Sequence, residues 1–144
     1  MSRRIITASH VAATLRVAAS LIELHGWHTD GYVPRDVDAD TVTAHDLCPL
    51  CALAAIAVAA GLPPNAWHND PQDTDAHLAH QLMTSAAHEL GVHVGVFRPG
   101  EIPMEDEIPE RLGDGWNDHQ DDAEDVIRAL RDTATDLDAQ GEAA

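Results

Sequence analysis

The chain has 144 residues, enough for one domain that buries a core unaided, and it sets 25 Asp and Glu against eight Arg and no Lys, a formal charge of −17. Such a charge repels phosphate backbones and anionic bilayers, which argues against direct nucleic-acid binding and against a membrane surface. Two cysteines three residues apart make no disulfide framework and point to a reduced, cytoplasmic protein, and His10, Arg16 and Glu23 interrupt any secretory leader after Arg3-Arg4.

Alanine supplies much of the 44% hydrophobic content, and the aromatics are only Trp27, Tyr32, Trp67, Phe97 and Trp116. A core of Ala, Leu, Val and Ile lets helices approach closely, so a mainly α fold is expected. Residues 1–8 read as a flexible N-terminus, 9–139 as one helical domain and 140–144 as a frayed end.

In chain order, the first helix is expected over 9–25. Ser9 is its candidate cap and Gly26 its stop, and Val11, Leu15, Ala18, Ala19 and Ile22 recur at three- and four-residue steps. Residues 27–46 are polar and irregular; Tyr32–Arg35 and Thr41–Thr43 can pair as a small β-hairpin with Pro34 on its edge. Residues 47–60 hold no charge, so a helix there, capped by Asp46 and ended by Gly61-Leu62-Pro63-Pro64, is apolar all round and must be buried. It is too short to span a membrane.

A third helix is expected from about 74 to 90 with Gly91 as its stop, carrying His77, His80, Gln81, Thr84 and His88 on a solvated face. Val92–Phe97 alternates as a short strand would. Residues 98–115 hold Pro, Gly and acid, with one short turn near 108–112, and the fourth helix runs over 121–139 on the stripe Val126, Ile127, Leu130, Ala134, Leu137. The expectation is a compact bundle of about four helices, with 47–60 central and packed by the other three.

Trp67-His68-Asn69-Asp70 precedes the third helix and Trp116-Asn117-Asp118 the fourth. Asn and Asp there cap helices while the Trp staples the entry. The functional alternative makes each Trp a ligand platform beside polar groups.

Gly26-Trp27, Gly31-Tyr32 with Arg35-Asp36, Cys51-Ala52-Leu53-Ala54-Ala55-Ile56 and Trp116-Asn117-Asp118 fall in the order of a recognisable set. They resemble a family of small actinobacterial and actinophage proteins of uncharacterised function, in which the middle motif reads Cys-Ala-Leu-Gly-Ala-Ile. The resemblance spans most of the chain, and departs from the pattern at Ala54 and in the extra Cys48. It implies a compact, intracellular, mainly helical domain and brings no reaction with it. Trp27, Tyr32, Arg35, Trp67, Trp116, Asn117 and Asp118 are the candidate binding residues.

Three chemistries compete at Cys48-Pro49-Leu50-Cys51. A thiolate at a helix start is stabilised by free backbone N–H groups, which suits thiol–disulfide exchange, although that chemistry wants the pair after a strand. Zinc is the alternative, from His25, His28, Cys48 and Cys51 or from His45 with the two thiols. Plain burial of the thiols is the bland reading. Beyond the zinc alternative no cofactor is called for, and no Gly-x-Ser-x-Gly, His-Glu-x-x-His or phosphate loop appears.

Residues 101–144 carry 15 acids against three Arg. That charge serves solubility, collects cations, or engages a partner with a basic surface. The leading expectation is a small cytoplasmic accessory protein, not an enzyme, that binds a basic protein; helix amphipathicity also allows a homodimer.

Overall fold

Thr7 starts the first helix: its hydroxyl accepts the His10 N–H at 3.2 Å, and α1 then runs Ala8–His25. A computed structural model describes residues 6–34, 48–68, 74–104 and 106–143. Gly26 ends α1 as expected, its N–H returning to the Ile22 carbonyl at 2.8 Å. The stripe from Val11 to Ile22 is buried.

The uncharged segment is buried but only partly helical. α2 spans Ala52–Ala59, and every residue from 51 to 58 is withdrawn from water. Its cap is Cys51, whose Sγ accepts the Ala54 N–H at 3.3 Å, rather than Asp46. Cys48, Pro49 and Leu50 stay extended because Leu50 pairs with the chain leaving α1: its N–H reaches the Gly26 carbonyl at 3.0 Å and its carbonyl accepts the His28 N–H at 3.0 Å. Of the expected hairpin, residues 35–43 lie outside the described ones and Tyr32–Val33 form a bend.

α3 runs Thr74–His93, past the glycine expected to stop it. A Cβ on Gly91 would stand 2.2 Å from the Phe97 ring, so this glycine is a notch for an aromatic side chain. The true stop is Gly95, at φ 82°, a conformation that glycine adopts without penalty. Val96 and Phe97 both donate to the Gly91 carbonyl, at 2.8 and 3.1 Å, which turns the expected strand back onto the helix end.

Residues 98–104 then form a strap across α3, and the π-helix Pro109–Asp114 replaces the expected short turn. His88 holds the strap: its Nε2 lies 2.6 Å from the Glu101 carbonyl and its ring stacks on Phe97. Arg111 covers Phe97 at 4.5 Å from the ring centroid and pairs with Glu101 at 2.7 Å. The polar face of α3 forms one wall of a trough, with His77 and Gln81 exposed as expected and His80, Thr84 and His88 partly covered.

α4, Ala123–Ala143, is capped by Asp122, which accepts the Asp125 N–H at 3.0 Å. It lies along α1, clamped at the rim by the bidentate Arg131–Glu23 pair at 3.1 Å and by Arg16–Asp138. α2 packs mainly on α1, α3 and the π-helix, so α4 flanks the central helix instead of wrapping it. The protein is mainly helical. Among the described residues no helix is long and apolar enough to cross a membrane.

Candidate functional site

Four hydrogen bonds meet at the side chain of Asn117, which is fully buried. Its Oδ1 accepts the Trp27 indole N–H at 2.8 Å and the Ala52 N–H at 3.0 Å. Its Nδ2 donates to the His28 carbonyl and to Asp118 Oδ1, both at 3.1 Å. Both amide donors and both acceptor positions are thus used. Asn117 therefore caps α2 from 65 residues away, not the helix that follows it. Asp118 also accepts the Asp30 N–H at 3.0 Å, which holds the loop after α1 against the turn 117–119.

Beside this latch lies a cleft of about 270 Å³, between the Gly31–Tyr32 bend, the start of α2 and the π-helix. Tyr32, Leu53 and Pro109 give it apolar walls. Asp106, Glu110, Asp114 and Asp118 bring four carboxylates, and among the described residues no Arg or His lines it. Tyr32 feels this: burial first, then Cys51 and Asp114, push its hydroxyl above the usual tyrosine range. The π-helix separates its charges by side, with Glu110 and Asp114 at the cleft while Arg111 turns away to Glu101 and the Val96 carbonyl.

Of the candidate binding residues, Tyr32, Asn117 and Asp118 line the cleft and Trp27 adjoins it through Asn117. Trp67 does not: it is a core residue whose indole donates to the Leu53 carbonyl at 3.0 Å. Trp116 is half-buried against the core, and Arg35 lies outside the described residues. Composition drew attention to the tryptophans, yet none lines the cleft. The carboxylates of Asp106, Glu110 and Asp114 were hidden among many similar acids.

Cys48 and Cys51 are both buried and form no disulfide. His25, His28, Cys48 and Cys51 are not gathered into a ligand set: among the described residues no three His, Cys, Asp or Glu could hold a metal ion. His45 lies outside the described residues. His25 instead sits at the end of α1, its Nδ1 enclosed without a hydrogen-bond partner among the described residues.

Burial pushes the Cys51 thiol up to about 12, with the Ala54 and Leu53 N–H groups opposing it. That is the reverse of an activated thiolate. Above its ordinary value of 9.0 the unfolded chain ionises this thiol while the folded chain keeps the proton, so stability falls as pH rises toward 12. We expect Cys51→Ala to flatten that alkaline loss, by up to about 1.4 kcal/mol per pH unit. Urea unfolding of both proteins from pH 9.0 upward measures it. Parallel curves would mean the thiol ionises alike in both states.

Fold and cleft define a small, mainly helical domain with an acidic recess beside a π-helix. The chain belongs to the family of unknown function DUF6197, whose model matches residues 7–136. No curated protein and no solved structure matches it.

Proposed function

We propose that this protein is a non-enzymatic accessory protein that binds a basic protein partner, taking an Arg or Lys side chain of that partner into the acidic cleft. One observation carries the reading: four carboxylates converge on a recess with apolar walls and, among the described residues, no basic lining residue. An arginine matches it in two ways. Its alkyl stem lies on Tyr32, Leu53 and Pro109, while its planar fork meets carboxylates two bonds at a time. The negative surface beyond the cleft speeds encounter with a positively charged partner.

The test separates the cleft from general acidity. An arginine-rich peptide is titrated calorimetrically against the wild type, against Glu110→Gln/Asp114→Asn, and against Glu124→Gln/Asp132→Asn on the exposed face of α4. The cleft variant is expected to weaken binding about tenfold or more, and the α4 variant only a few-fold. Added salt weakens all three. Equal losses at both places would reduce the interaction to bulk charge and sink the cleft reading.

A further inference from the structure

Two Asp-Gly pairs occur in the chain, Asp30-Gly31 and Asp114-Gly115, and the cleft is lined by one member of each, Gly31 and Asp114. In such a pair the backbone can attack its own side chain, because glycine carries nothing that keeps its nitrogen away from the preceding carboxyl carbon. The fold treats the two pairs in opposite ways. The Gly115 N–H donates to the Glu110 carbonyl at 3.0 Å, closing the π-helix. A Cβ on Gly115 would stand 2.5 Å from the Arg111 carbonyl oxygen, so this nitrogen is tied and its surroundings are filled.

Asp30 and Gly31 are both exposed, in a bend. Among the described residues no hydrogen bond holds the Gly31 N–H, and a Cβ on Gly31 would meet nothing nearer than 3.8 Å. One atom at that distance is Nε2 of His28, and an imidazole takes and gives protons near neutral pH. Asp30 is the one non-glycine residue with positive φ among those described, at 63°, a backbone that an L side chain disfavours. The chain is pinned on either side of the loose nitrogen. The Asp30 N–H donates to Asp118 at 3.0 Å, and the Tyr32 carbonyl accepts the Cys51 N–H at 3.1 Å.

We propose that Asp30-Gly31 is a self-modification site, where the folded protein converts its own backbone to an isoaspartyl linkage with His28 as proton carrier, while the π-helix protects Asp114-Gly115. The Gly31 nitrogen bonds to the side-chain carboxyl carbon of Asp30. Its proton passes through His28 to the departing carboxyl oxygen, which leaves as water, and a succinimide ring remains. Water then opens the ring at the former main-chain carbonyl. The Asp30 β-carbon now lies in the main chain and a carboxylate branches from the α-carbon, with no net change in atoms or charge. The added methylene lengthens a bend held at both ends, so the Tyr32 carbonyl loosens from Cys51 and the cleft rim moves. Weaker capture of an arginine would follow, a consequence that rests on the cleft reading above.

The full chain is aged in warm neutral buffer, folded and in urea, and its peptides are read by electron-transfer fragmentation, which tells the two linkages apart at equal mass. In urea both pairs should convert at comparable rates. In the folded protein Asp30 should convert about tenfold faster than Asp114, or more. His28→Gln keeps the main-chain carbonyl that Asn117 holds, and should slow conversion at Asp30 several-fold. Hydrogen exchange at the Cys51 N–H should quicken in the isomerised chain. Equal folded rates at the two pairs, or no isoaspartate at Asp30, overturn the proposal. An unchanged rate in His28→Gln removes the imidazole from it, and unchanged exchange at Cys51 refutes the moving rim. None of these readouts uses a peptide ligand, so an arginine-rich peptide that fails to bind the fresh protein would sink the cleft reading alone.

Discussion

Asn117→Ala should unfold the protein at markedly lower denaturant, with a loss of about 3–5 kcal/mol. The truncation strands the Trp27 indole N–H, the Ala52 N–H and the His28 carbonyl at once, since all three bond this one side chain. A buried group left without a partner costs about 1–3 kcal/mol, and partial hydration of the outer two lowers the sum. Against a typical total of about 5–15 kcal/mol, this is a large share. Asn117→Asp sharpens the test. It keeps the acceptor for Trp27 and Ala52 but turns two donated bonds into contacts of oxygen on oxygen, one of them with Asp118. Its penalty should shrink in acid, where a protonated carboxyl can donate again. Urea titrations at neutral and acidic pH read both effects. A loss below about 1 kcal/mol for Asn117→Ala would mean that water replaces the latch.

Gly91→Ala is the second large effect, and its sign runs against helix propensity. In an open helix the change gains about 1 kcal/mol. Here the added methyl would meet Phe97 ring atoms at 2.2 and 2.5 Å. The ring cannot swing freely, being stacked on His88 and covered by Arg111. Overpacking of this kind costs about 1–3 kcal/mol. The double variant with Phe97→Ala isolates the cause: once the ring is gone, Gly91→Ala should become neutral or stabilising. Thermal unfolding of the four proteins in that cycle measures the coupling, and additive effects would refute the notch.

What could be read from the chain alone follows from how local each cause is. The burial of 52–58 was legible because an uncharged run in so acidic a chain has nowhere else to go. Its helical start was not, because apolarity reports burial and says nothing of backbone: Leu50 is equally buried in an extended bridge. Gly91 and Gly95 look alike as stop signals, and only the position of Phe97 tells notch from turn. Trp116-Asn117-Asp118 stood out as a cap, correctly in chemistry and wrongly in address. The N–H it satisfies belongs to Ala52, while Asp122 caps the helix that follows. The cleft was least legible, since Asp106, Glu110 and Asp114 differ from the other acids only in where the π-helix places them.

The long reach of Asn117 has a consequence for how the chain is made. The first sixty residues leave the ribosome with their shortest helix lacking the acceptor that finishes its first turn, because that acceptor is synthesised more than fifty residues later. Until it arrives, an eight-residue helix with an open end is marginal by itself. The greasy middle of the protein must therefore wait for Asn117, and the start of its central helix is secured only after that residue has been made.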